Sequence, residues 1–263
     1  MQFFVILLVL CFTIAVPTRV KAQSQVMDIV TKMKAALEPA RPSIRKVDVT
    51  FTSQGETVTS VAREAYRQSA DGKKLVMVFV EPADIKGNAY LMSEPKGKPS
   101  ALWMYMPFLR RIRELTPVDA YQHFLGTDFS YADLGFVRLN SNYRLVGEED
   151  HGGKKTYKIE ESSAKERAYY SRVVTWVAKD TMLPVQRDYY DVAGQLWKTE
   201  TFEIETIDGT PTPIHIQMKD LENQSSTDLR ISAVNYDVKL PDDLFDPLKL
   251  PAAADSPAWQ ASH

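Results

Sequence analysis

Apolar residues change their spacing once along this chain, and the change divides it. Between Gln25 and Glu38 they fall at Val26, Ile29, Val30, Met33 and Leu37, one stripe of an amphipathic helix that Pro39 and Pro42 end. From Val47 onward the period is two. Val47, Val49 and Phe51 alternate with Asp48 and Thr50, residues 57–68 form a long alternating run, and Asp71-Gly72 turns tightly into 73–80. Further strand-like stretches occupy 88–92, 101–106, 110–115, 143–148, 155–161, 169–178, 184–190, 196–206, 214–222 and 229–238. Turn signals separate them, among them Lys96-Gly97-Lys98-Pro99, His151-Gly152-Gly153, Ala193-Gly194 and Asp208-Gly209-Thr210-Pro211. One helical turn is expected at 241–245. The Pro- and Ala-rich segment 251–263 reads as a disordered tail.

This pattern predicts one antiparallel β domain with few helices and no internal linker. So many consecutive hairpins imply a barrel, a sandwich or a strongly curved sheet, because a flat open sheet would leave an apolar face bare. One amphipathic helix is short cover for so wide a sheet. Either the sheet closes on itself or its concave face holds something else.

The front of the chain has a different character. Residues 3–16, FFVILLVLCFTIAV, form an apolar run stopped by Pro17, shorter than the ~20 residues a membrane-crossing helix needs. The run fits the core of a secretory leader, with Val20-Lys21-Ala22 offering a cleavage site after Ala22 and an uncleaved anchor as the alternative. Cys11 follows Leu-Val-Leu, which argues against lipid attachment there. The expected organisation is therefore an exported chain with a leader at 1–22, a β domain at 23–250 and a tail at 251–263.

Composition adds limits. The 263 residues carry 32 Lys+Arg against 34 Asp+Glu, which gives no basic face for nucleic acid. Cys11 is the only cysteine, so the processed chain has no thiol for catalysis or for disulfides. A domain of this size buries roughly 70–75% of its unfolded surface and needs no such staples.

The most distinctive stretch is 101–134, ALWMYMPFLRRIRELTPVDAYQHFLGTDFSYADL. In its first half Leu102, Met104 and Met106 point to one side of a strand and Trp103 and Tyr105 to the other, so both faces of that strand are covered. Arg110, Arg111 and Arg113 follow around Ile112. The second half, 124–131, is an aromatic, Gly-containing segment that reads as a structured loop. Trp103-x-Tyr105-x-Pro107, the basic cluster, and then Phe124-Leu125-Gly126-Thr127-Asp128-Phe129-Ser130-Tyr131-x-Asp133-Leu134 resemble the outer-membrane lipoprotein-sorting family, LolA-like exported bacterial proteins. Residues 143–149, Leu183-Pro184, 189–191 and Pro241-Asp242-x-Leu244-Phe245 extend the resemblance over about 25–250.

The resemblance implies a mainly β fold: a half-open antiparallel β-barrel of about eleven strands with an N-terminal amphipathic helix and a short helical lid over an apolar cavity. It implies a binding protein rather than an enzyme, carrying lipid or lipoprotein acyl chains through the periplasm to the outer membrane. Companions of RND-type inner-membrane transporters, or an outer-membrane acceptor, are the implied partners. No cofactor is implied, and a monomer is expected. Candidate lining residues are Met77, Phe79, Leu91, Trp103, Met104, Tyr105 and Met106; plain core is the alternative for each. Arg110, Arg111 and Arg113 are candidates for an anionic group or a partner, or for pairing with Asp119, Asp128 or Asp133. Gly126, Asp128, Phe129 and Asp133 mark the motif loop. Charge is uneven as well: residues 86–113 carry six basic side chains against Glu94, while residues 201–250 have a net charge of −6.

Other chemistry finds little support. His123, His151, His215 and His263 lack the short pairwise spacing of a zinc site. No G-x-S-x-G elbow and no Gly-rich phosphate loop is present. An acid–base pair of His123 and Asp128, five residues apart, is the remaining route to a hydrolase.

Overall fold

The computed structural model describes residues 18–38, 41–137, 141–163 and 169–261. The apolar leader run at 3–16 lies outside the described residues. A helix, α1 (Thr18–Leu37), is followed by β1 (Ser43–Ser53), β2 (Glu56–Ser69), β3 (Gly72–Glu81), β4 (Ala89–Pro95), β5 (Ala101–Met106) and β6 (Arg111–Leu115). After a long connection come β7 (Ser141–His151), β8 (Lys154–Ser163), β9 (Arg172–Ala178), β10 (Pro184–Tyr190), β11 (Leu196–Ile207), β12 (Thr210–Asp220) and β13 (Ser225–Asn235).

All thirteen strands belong to one antiparallel sheet in the order β6-β5-β4-β3-β2-β1-β13-β12-β11-β10-β9-β8-β7. The first and last strands pair at its centre, Val49 opposite Leu229 and Phe51 opposite Thr227. Nothing joins β6 to β7, so the sheet curls without closing. This is the half-open arrangement that the family resemblance implies, with thirteen strands in place of about eleven. The two-residue turn Ala70-Asp71, closed by Ser69 opposite Gly72, shows how tightly the turns are set. A Cβ on Gly72 would lie 2.2 Å from the Glu94 carbonyl oxygen, and its φ of +135° lies where side chains are disfavoured.

Both faces of the sheet are apolar, and each has its own cover. On the inner face Val47, Val49, Ala62, Met77, Tyr90, Met92, Leu102, Met104, Met218 and Leu229 form one cluster. On the outer face Ile44, Ala65, Val76, Val78, Ala89 and Leu91 pack beneath Leu244, Phe245, Leu250, Ala253 and Trp259. The helix lies on the inner face of the far end of the sheet, its stripe of Val26, Ile29, Val30 and Met33 against Ile159 of β8 and Val177 of β9.

The outer cover corrects one expectation. Residues 251–261 are not a disordered tail: Pro247–Asp255 and Pro257–Ala261 are 3-10 helical segments on the sheet. Three prolines, Pro247, Pro251 and Pro257, fix φ near helical values and lower the entropy lost on ordering. Trp259, 2% exposed, is the anchor, and its indole N–H donates to the Ala253 carbonyl at 2.7 Å. Upstream, Arg67 pairs with Asp242 at 2.6 Å and lies over the Phe245 ring. A Pro/Ala-rich composition hides a segment that buries Leu250, Ala253 and Trp259 on the sheet.

Trp259→Ala is therefore expected to destabilise the protein by about 3–5 kcal/mol, the range for truncating a large buried aromatic. Urea unfolding checks this, and a loss under ~1 kcal/mol would contradict an anchoring role.

Candidate ligand-binding cavity

Because β6 and β7 are the two edges, the chain has to pass from one to the other, and residues 116–137 do so through the inner space. Its start is tied down by Asp119, which accepts from the Thr116 amide at 2.8 Å, from Thr116 Oγ1 at 2.9 Å and from Arg113 at 2.6 Å. The Thr116 amide, helped by Arg113, holds the Asp119 carboxyl below its ordinary range. At the middle, Leu125 and Gly126 take left-handed φ values of +49° and +74°, which turns the chain back and makes the glycine useful there. Asp128 then pins the segment to the centre of the sheet. Its carboxylate accepts from Ser225 and, at 2.8 Å, from Thr227 of β13; its amide donates to Thr227 Oγ1 at 2.9 Å. The ammonium of Lys198, 1% exposed, donates to the Asp128 carbonyl at 2.7 Å.

Between these anchors the segment lowers aromatic side chains onto the inner face. The Phe124 ring lies 5.1–5.9 Å from those of Phe79, Tyr90, Tyr131 and Phe136. Tyr121 stacks on Tyr169 at 4.6 Å, tying the crossing to the β9 side. The crossing does not fill the interior. A cavity of about 350 Å³ remains, lined by Met33 and Leu37 of α1, by Val47, Met77, Met92, Phe202, Leu229 and Ile231 of the sheet, and by Phe129 and Phe136 of the crossing. That volume lies at the low end of the range for small-molecule sites. A second hollow of about 260 Å³, walled by Val49, Phe51, Phe79, Ile85, Phe124 and Leu125, lies on the other side of the Phe124–Phe136 pair.

One wall of the larger cavity is polar. Glu200 of β11 accepts from Arg187 at 3.1 Å and from the Tyr189 hydroxyl at 2.6 Å, both on β10. Asp133 of the crossing accepts from the Tyr170 hydroxyl at 3.0 Å and from the Ser130 amide at 2.8 Å. Burial raises both carboxyls above their ordinary values despite Arg187 beside Glu200 and Lys198 near Asp133. Burial likewise raises the Tyr170 and Tyr189 phenols, and it pushes Tyr121 up to about 12. Burial works against the Arg187 charge, but Glu200 and Tyr189 outweigh it and the guanidinium stays protonated. Arg45 and Glu64 form a further ion pair on the wall. Arg187 with Glu200 and Arg45 with Glu64 are paired, so neither pair leaves a bare ion against an apolar ligand.

The residues singled out from the sequence divide between two faces. Met77 lines the larger cavity and Phe79 the smaller hollow. Met104 and Met106 belong to the inner cluster without lining either space. Leu91, Trp103 and Tyr105 are on the outer face, packed with the C-terminal segments, and are not cavity residues. Strand alternation puts Trp103 opposite to Met104, so the two cannot both face the inner space. Arg113 braces Asp119, while Arg110 and Arg111 are exposed. Gly126, Asp128, Phe129 and Asp133 lie together in the crossing: a turn, an anchor, a lining residue and part of the polar wall. The ring of His123 bonds the Thr127 carbonyl at 2.7 Å while Asp128 is engaged by β13, so the two do not form an acid–base pair. Sequence reasoning missed Tyr170, Arg187, Tyr189 and Glu200; the only local signal was the alternation that puts Arg187 and Tyr189 on one face of β10.

Fold and cavity define a class: an open, curled antiparallel sheet wrapped around an apolar space, a LolA-like fold. A family model described as "Uncharacterized protein" matches residues 71–252, and the chain belongs to that family. Among solved structures, a DUF1329 family protein from Desulfovibrio piger is 26% identical with a TM-score of 0.78, covering 87% of this chain and 99% of its own. A domain assigned to outer membrane lipoprotein sorting, from Vibrio parahaemolyticus, shows the same TM-score and the same coverages at 22% identity. A LolA superfamily protein from Nitrosomonas europaea has a TM-score of 0.65 at 22% identity, over 84% of this chain and 97% of its own. No curated protein matches the chain.

The anchors of the crossing can be tested separately. Arg113 is 56% exposed on its side chain, so Arg113→Ala is expected to lower stability by no more than ~1 kcal/mol in urea unfolding; a larger loss would make this ion pair a main anchor. Asp133 holds its proton to higher pH when folded than when unfolded. Its contribution to stability is complete below the ordinary carboxylate value and declines as pH rises through that value toward the raised one. An amide in its place does not titrate. The stability of Asp133→Asn relative to wild type should therefore rise with pH across that window, and a difference independent of pH would contradict the assignment.

Proposed function

We propose that this protein is a periplasmic carrier that shelters acyl chains of a lipid or lipoprotein in transit to the outer membrane. The leader run at 3–16 sends it across the inner membrane, with cleavage after Ala22, and it acts as a monomer without cofactor. The observation that carries this reading is the apolar cavity between the sheet, α1 and the crossing. Each methylene moved from water into such a space gains about 0.8 kcal/mol, so an acyl chain is the ligand this wall rewards. Met33, Met77 and Met92 supply adaptable lining, suited to chains that differ in length and unsaturation. The polar wall of Arg187, Tyr189, Glu200 and Asp133 gives ester or hydroxyl groups of the cargo hydrogen-bonding partners. The likeness to lipoprotein-sorting and LolA-superfamily folds supports the same reading.

A second reading is an accessory module docked on an RND-type exporter. It is favoured by Arg110 and Arg111, exposed and without an ion pair among the described residues. The two readings are compatible, since a carrier must collect its cargo somewhere.

Native mass spectrometry with lipid extraction, on protein purified from the periplasm without detergent, tests the carrier. The expected result is a bound mass that extracts as acyl lipid, reduced at least about tenfold in Leu229→Trp and Met77→Trp, which fill the cavity at an overpacking cost of ~1–3 kcal/mol. A ligand-free mass that also refuses added lipid would sink the proposal.

A further inference from the structure

Antiparallel order sends the turns β1–β2, β3–β4, β5–β6, β10–β11 and β12–β13 to one end of the sheet. Six of the ten large exposed apolar side chains among the described residues stand at that end, the others being Met27, Val118, Val146 and Leu248. Phe108 (93% exposed) and Leu109 form the β5–β6 tip, Val58 stands near the start of β2, Val192 and Leu196 flank the β10–β11 turn, and Leu221 follows β12. The hairpin turns at the opposite end carry none of these residues and show Asp71, Lys96, Lys98, Lys154 and Asp208 instead; the exposed apolar residue there is Val118, just after β6. A single exposed apolar residue needs no explanation, but six spread over four turns at one rim mark a surface built to be covered.

The chemistry of the tip says by what. Phe108-Leu109 is followed at once by Arg110 and Arg111, both exposed and without an ion pair among the described residues. The β3–β4 turn packs beside it, with Gly87 against Pro107, and adds exposed Lys86 together with the exposed acids Glu81 and Asp84. Apolar side chains leading, with guanidinium groups directly behind, match the depth profile of a bilayer surface, where acyl chains lie beneath a plane of phosphates. Four separate turns ending at one rim suit a plane better than a pocket on a protein. We propose that this rim seats on an anionic phospholipid bilayer, with Phe108 and Leu109 entering the acyl boundary and Arg110 and Arg111 on lipid phosphates. The smaller hollow lies at the same end, walled in part by Val58, Pro82 and Ile85. The inference goes beyond the carrier reading and does not depend on what fills the larger cavity.

Co-sedimentation at low salt tests it, with vesicles of phosphatidylglycerol and phosphatidylcholine in equal parts against vesicles of phosphatidylcholine alone. Wild type is expected to sediment with the anionic vesicles and to leave them as salt rises. Phe108→Ser/Leu109→Ser and Arg110→Glu/Arg111→Glu should each lower partitioning about tenfold, and circular dichroism checks that these exposed changes leave the fold intact. The proposal is overturned if wild type stays in solution, if it binds both vesicles equally, or if both variants sediment like wild type. Loss of transport in cells with vesicle binding unchanged would also overturn it and assign the rim to a protein partner. Cargo measured on the same variants separates the two readings: failure of the rim leaves the bound lipid in place, and failure of the carrier leaves vesicle binding in place.

Discussion

A sheet of thirteen strands that does not close has two edges, and here the chain must travel from one to the other. That journey, through residues 116–137, determines what the interior becomes. Had the segment run around the outside, the inner apolar face would lie open to water. Instead it crosses the inner space, and the Asp128 carboxylate and backbone hold it to Ser225, Thr227 and Lys198 at the middle of the sheet. Those partners lie 70 to 99 residues away in sequence, so the anchor forms only when β11 and β13 are in place. The aromatic rings of the crossing then have fixed positions, and so does the cavity they leave.

The two faces solve the same problem in different ways. The outer face is covered by the C-terminal 3-10 segments, with Trp259 and Phe245 filling the space above Val76 and Leu91. Cover of the inner face is incomplete: α1 reaches one end, the crossing reaches the middle, and about 350 Å³ is left between them. A core optimised only for stability would fill such a space with side chains. The polar wall points the same way, because Arg187, Glu200 and Asp133 would be easier to bury if replaced by apolar residues of similar size. A cavity kept open with a self-satisfied polar patch on one wall is the structural feature from which the carrier reading grows.

Much of this was legible in the sequence. Period-two alternation marks the stretches that become strands, and the spacing from Val26 to Leu37 marks the buried stripe of α1. Alternation also separates Leu102, Met104 and Met106 from Trp103 and Tyr105, and the structure puts the two sets on opposite faces. It does not say which face is inner, and this is why Leu91, Trp103 and Tyr105 read as cavity residues. Curvature is a property of the whole sheet and leaves no local trace in a six-residue strand. The polar wall was hidden for a related reason: Arg187 and Glu200 are neighbours in the β10–β11 hairpin, but Asp133 and Tyr170 join them on one wall only once the crossing is in place. The C-terminal cover escapes a reading by composition, which does not register one tryptophan held in place by three prolines.

The inner space is proposed to hold an acyl chain. Photolabelling with a fatty acid bearing a diazirine at its chain end, followed by peptide mapping, addresses this directly. Labels are expected on inner-face peptides that contain Met77, Phe129, Leu229 or Ile231, with competition by unlabelled fatty acid. Labels confined to the outer face around Leu91, Trp103 and Tyr105, or labelling that no competitor reduces, would contradict it.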